Sequence, residues 1–200
     1  HIMAWSTTIV APPDGAMAGQ GPGGRPPDMD APNGGGQPQG GAAACKLIGA
    51  FTVTGKTLRT AAQTYASRRD DVSAVYVCSG GALTLAAPTI STTGNTSSQN
   101  GSSFFGLNAA VLADERSSVA IEGGTITTSG ESANGAFATG KGSEVRLSNV
   151  AIRATGGGGH GVMATRGGTV VLSDVTIDTR REHGAAGGSG VRASPARRSS

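Results

Sequence analysis

Large rings are scarce in this chain: four Phe, two Tyr and one Trp supply 4% of 200 residues. That shortage excludes a core built on stacked aromatics. No run of 18 apolar residues occurs, which excludes a membrane-spanning helix. No heptad pattern is sustained, which excludes a coiled coil. Glycine is abundant, at 34 residues, but lacks an every-third-residue period, so collagen is excluded. Charge is sparse at 14%, and the net +3 has an address. Arg180, Arg181, Arg192, Arg197 and Arg198 lie in the last 21 residues with Glu182 as the one acid, leaving 11 basic and 12 acidic residues elsewhere. A nucleic-acid footprint needs clustered basic residues on a folded face, with aromatics for stacking. Neither is present, and no nucleic-acid partner is expected.

Only two cysteines occur, Cys45 and Cys78, 33 residues apart. They are a disulfide candidate, or two partly buried thiols. No Cys-x-x-Cys pair exists, which excludes zinc-finger and thioredoxin readings. Thr54-Gly-Lys-Thr57 has the ending of a phosphate-binding loop, but Gly49 is misplaced for it and no strand–helix–strand unit follows.

The composition divides the chain. Residues 1–3 read as a cloning remnant. Residues 4–44 form a Gly/Pro-rich segment expected to be flexible, because 11–41 hold 7 of the 9 prolines and offer little apolar surface to bury. Ala4–Val10 is too short and too hydroxylic for a signal sequence. Residues 45–81 read as an N-terminal β cap and first strands, with Thr57–Asp71 ambiguous between helix and extended chain. Residues 82–186 repeat, and 187–200 form an irregular basic tail.

The repeat has three families. Leu83, Val119, Val145 and Val170 open one strand motif, with offsets of 36, 26 and 25. Ile90, Ile126, Ile152 and Ile177 follow seven residues later each time. Asn108, Asn134, His160 and His183 open each coil. Alternation sends Val, Leu and Ile inward and Thr, Ser and Arg outward. One such unit cannot bury its apolar side alone, whereas stacked units can. The pattern predicts an all-β fold, a right-handed parallel β-helix of about 4–6 coils, with small residues such as Ala109 and Ala136 facing inward. The excess in the first offset maps to Thr92–Phe105, a loop expected to project and to carry binding.

Phe104-Phe-Gly-Leu-Asn-Ala-Ala-Val-Leu-Ala113, Gly123-Gly-Thr-Ile-Thr-Thr-Ser-Gly130, Ala133-Asn-Gly-Ala-Phe-Ala-Thr-Gly140 and Leu147-Ser-Asn-Val150 resemble bacterial secreted β-helix repeat proteins, described as adhesin-like or pectin-lyase-like. The resemblance covers about residues 70–186. It implies a secreted or cell-surface protein that contacts carbohydrate or a cell surface, and it brings no catalytic residues. The β pattern stops after His183-Gly-Ala-Ala186, as in the N-terminal part of a longer solenoid. An open last coil exposes strand edges, so a homo-oligomer or a docked tail is expected.

Chemistry concentrates at the coil-opening position. Equivalent positions in a parallel solenoid stack about 4.8 Å apart. Asn108 and Asn134 are expected as binding or structural rungs whose amides satisfy each other. His160 and His183, one rung apart, are candidate catalytic residues and candidate ligands for Zn²⁺ or another divalent metal, with Glu182 or Asp178 as a third ligand. Such a pair would suit a small hydrolase of ester or phosphoester bonds. The alternative reading is a turn ladder with no chemistry. Lys141 and Arg166 take equivalent turn positions and read as a solvated face. Thr125, Thr127 and Thr128 suggest a flat hydroxyl array, though Thr-x-Thr does not recur in register through every coil.

Overall fold

The computed structural model describes residues 6–10 and 45–179, with side chains for the latter. Strand β1 is Ser6–Val10. Fifteen further strands make five coils of three. The first coil holds β2 (Ile48–Thr54), β3 (Thr57–Thr60) and β4 (Thr64–Ser67); the second holds β5 (Val72–Cys78), β6 (Ala82–Ala86) and β7 (Thr89–Thr92). The third holds β8 (Val111–Asp114), β9 (Ser118–Glu122) and β10 (Thr125–Thr128). The fourth holds β11 (Ala136–Thr139), β12 (Glu144–Ser148) and β13 (Ala151–Ala154), and the fifth β14 (Val162–Thr165), β15 (Thr169–Ser173) and β16 (Thr176–Thr179). Strands stack into three sheets: β14-β11-β8-β5-β2, β1-β15-β12-β9-β6-β3 and β16-β13-β10-β7-β4. All ladders among β2–β16 are parallel. The described residues thus form an all-β solenoid of five turns. Among the described residues, no helix is long and apolar enough to cross a membrane.

The two hydrophobic families pair in the register that the spacing predicts. Leu83, Val119, Val145 and Val170 form one inward row, and Ile90, Ile126, Ile152 and Ile177 another. Both rows begin one coil earlier, with Leu58 below Leu83 and Tyr65 below Ile90. The segment 45–81 therefore supplies the first coil itself, and Thr57–Asp71 is extended rather than helical. The Phe51 and Tyr65 rings, 5.0 Å apart, close that end of the core.

The first sheet departs from simple alternation. All seven residues of β5 and all four of β8 and of β11 are buried. Inward, Val75, Val111, Ala136 and Val162 join the main core. Outward, Tyr76, Leu112 and Phe137 form a second apolar cluster. Ala109 belongs to that outer cluster, and Ala110 faces the main core in its place. Apolar side chains on an outer face need cover, and the long loop before β8 provides it. Instead of projecting, the loop folds back. Its π-turn Gly101–Phe105 places the Phe104 carbonyl under the Thr139 and Thr165 hydroxyls at 3.1 and 2.7 Å. The disulfide Cys45–Cys78 ties down the other side of the cluster, where Leu47 packs.

Within the segment 4–44, expected to be flexible, Ser6–Val10 is a strand that pairs antiparallel with β15. The basic tail 187–200, His183 and Glu182 lie outside the described residues.

Candidate functional site

The corner between the third and first sheets carries the predicted Asn and His positions. Asn134 is buried. Its Oδ1 accepts the His160 backbone N–H at 3.0 Å and faces the ring Nδ1 at 3.3 Å. An amide oxygen only accepts, so this contact places the ring proton on Nδ1 and leaves the Nε2 lone pair free. Burial holds the half-buried imidazole below its ordinary pKa, hence neutral near pH 7. The Asn134 Nδ2 donates to the Ser102 Oγ at 3.1 Å and to the Ser102 carbonyl at 3.3 Å. Ser132 extends the chain of bonds to the Gln99 Oε1 at 2.8 Å.

Asn108 does not join this network. The Ala110 N–H donates to the Asn134 carbonyl, which sets Ala109 level with Asn134 and shifts Asn108 out of register by one residue. Asn108 takes a left-handed φ of +62° and donates to the Gly94 carbonyl at 2.7 Å and the Thr96 hydroxyl at 3.2 Å. The two Asn side chains thus do not satisfy each other. Each staples the insertion to the solenoid, which is a structural task.

His160 is the one member of the proposed histidine pair among the described residues. Among those residues no group of three or more His, Cys, Asp or Glu is placed to hold a metal. Asp178 lies on the outer face of β16, where its Oδ2 pairs with the Arg153 Nε at 3.5 Å. The segment preceding His160, Thr155–Gly159, brings no acid to it.

A second feature extends the hydroxyl array that Thr125 and Thr127 suggest in the sequence. The outer face of the third sheet aligns Thr64, Thr89, Thr125, Ala151 and Thr176 in one exposed row. Beside it run Ala66, Ser91, Thr127, Arg153 and Asp178. At the fifth coil this face ends in a groove of about 420 Å³ lined by Ser129, Arg153, Thr155, Asp178 and Thr179. The signal was present in the sequence: Thr stands one residue before the inward Tyr65, Ile90, Ile126 and Ile177. Thr-x-Thr was too strict a template, and Thr128 is an inward residue.

A third polar group sits beside the disulfide. Burial, then the neighbouring Glu115 charge, raises the Asp114 pKa above its ordinary value. Glu115 itself pairs with the Lys46 Nζ at 3.3 Å and accepts from the Ser79 Oγ at 3.2 Å. Glu115 and Arg116 both take left-handed φ values, +55° and +59°. Register alone brings Lys46, Ser79 and Glu115 together, so no local motif announces them.

No family model, curated protein or solved structure matches the chain.

Proposed function

We propose that this chain is a binding module that presents the outer face of its third sheet to carbohydrate, within a secreted or cell-surface protein of the adhesin-like, pectin-lyase-like solenoid kind. One observation carries the reading: four of five rungs place Thr at the same exposed position. Thr is β-branched and stiff at χ1, so a row of such hydroxyls is held in place about every 4.8 Å. A hydroxyl both donates and accepts, which suits the hydroxyls of a sugar chain. The Arg153–Asp178 pair at the end of the rows adds a planar donor and an acceptor. The Cys45–Cys78 disulfide supports an oxidising compartment.

The test is a glycan and polysaccharide array probed with the wild-type chain and with a Thr89→Val, Thr125→Val, Arg153→Ala variant. The expected result is a wild-type ligand that the variant binds at least about tenfold more weakly, a loss of about 1.4 kcal/mol. Absence of wild-type binding to every glycan overturns the reading. The same preparations are scored on chromogenic esters and phosphoesters with and without chelator. Turnover that disappears in His160→Ala would also overturn it, in favour of a hydrolase at the histidine corner.

A further inference from the structure

We propose that the outer edge of β15 is a self-association surface for a second copy of this chain, and that β1 keeps it occupied. In the second sheet, β15 lies at one end under β1, and β3 lies at the other. Every ladder among β2–β16 is parallel; the β1–β15 ladder is antiparallel, with Ile9 opposite Val170 and Thr7 opposite Leu172. The Thr169 N–H donates to the Ser143 carbonyl at 2.9 Å, on the β12 side. Backbone groups alternate sides along a strand, so Val170 and Leu172 turn their N–H and C=O groups towards β1. Ile9–Val170 and Thr7–Leu172 are therefore the hydrogen-bonded pairs of this ladder. Without β1, the core strand β15 would present two donors and two acceptors to any strand that fits.

The strand that fits is at the opposite end of the same sheet. Leu58 of β3 begins the row that runs through Leu83, Val119 and Val145 to Val170. Among the described residues nothing pairs with the outer edge of β3. A second copy stacked by its first coil on the vacated β15 would continue that row with its own Leu58. Such a head-to-tail contact does not close on itself, so it grows. The antiparallel β1 interrupts the parallel series. Thirty-four residues join Val10 to Cys45. At full extension they span more than about 100 Å, against about 19 Å between the first and fifth rungs. Tethered pairing of this kind acts at an effective concentration on the order of millimolar, so β1 of the same chain outcompetes a second copy at micromolar concentration.

The test measures mass by light scattering across a concentration series of the full chain. Thr7→Pro/Ile9→Pro removes the two β1 donors that face β15, whereas Thr8→Pro alters an N–H that faces away. Wild type and Thr8→Pro are expected to stay monomeric. The double variant is expected to gain mass several-fold with concentration, and a synthetic peptide of residues 4–12 is expected to return it to monomer. Hydrogen exchange at the lowest concentration separates uncapping from misfolding: Val170 and Leu172 amides should exchange at least tenfold faster in the double variant, with Val145 and Leu147 still protected. A double variant that stays monomeric, a mass gain that the peptide leaves unchanged, unaltered exchange at Val170 and Leu172, or a wild type that associates as strongly as the double variant would each overturn the proposal.

Discussion

Asn134 and His160 stand level on neighbouring rungs, and the Asn134 amide oxygen accepts from the His160 backbone N–H and from its ring Nδ1. This is a residue-scale arrangement with a pH signature. The folded imidazole resists protonation because it is buried, so the unfolded chain takes up the proton first as pH falls. The stability tied to this group is present above about pH 6.5 and is lost as pH falls towards the folded pKa. Asp114 acts with the opposite sign. Its raised pKa means that the folded chain holds the proton more tightly. Its contribution is present below about pH 3.8 and is lost as pH rises through the folded value. Urea unfolding of wild type, His160→Gln and Asp114→Asn from neutral to acid pH checks both. The glutamine should flatten the decline below pH 6.5, and the asparagine should remove the gain in acid. At this scale the sequence was half legible. The spacing of Asn134 and His160 is a true rung spacing. Asn108 shares the same 26-residue offset, yet sits one position out, because the insertion before it ends in a left-handed turn.

Strands and corners set the next scale. At the corner between the third and first sheets, Gly94, Gly130 and Gly156 stack so closely that a Cβ on Gly130 would overlap the Gly94 carbonyl. A Cβ on Gly156 would likewise overlap the Gly130 carbonyl. Backbone cannot yield there without breaking the rung above or below. Gly130→Ala is expected to cost about 3 kcal/mol or more, whereas Gly157→Ala, whose Cβ would meet the Glu131 carboxylate at an ordinary contact distance, should stay within about 0.5 kcal/mol. Chemical denaturation midpoints distinguish them. Strand identity was legible wherever an inward residue recurred seven positions after another. Leu58 and Tyr65 obey the same rule, and the first coil could have been read from them. What hid it was the outward half of the segment, Thr-x-Arg and Gln-Thr, which matches a polar turn equally well. The outer cluster of Tyr76, Leu112 and Phe137 was legible as apolar, but its direction was not. Alternation identifies two faces without saying which of them a distant loop will cover.

The whole molecule behaves as a row of coils in which each touches its neighbours. The disulfide joins the residue just ahead of the first coil to the first strand of the second, closing a 33-residue separation. Loop closure of that length contributes about 3–4 kcal/mol. A Cys45→Ala/Cys78→Ala variant should lose about that much, and the loss should be local. Amide exchange at Val53 and Val75 should accelerate while Val145 and Val170 remain protected, read by hydrogen-exchange mass spectrometry.

The sequence by itself determined the period, the inward rows and the parallel stacking, because a 25- to 26-residue apolar repeat has no other way to bury its side chains. It also determined that hydroxyls would line the exposed strands. Only the tertiary structure decided that the long loop folds inward over the first sheet, that Asn108 and Asn134 serve it rather than each other, and that β1 closes the far end of the second sheet. Those contacts join residues 14 to more than 160 positions apart, where the outcome depends on which exposed apolar face or strand edge remains unfilled. No local spacing encodes that choice.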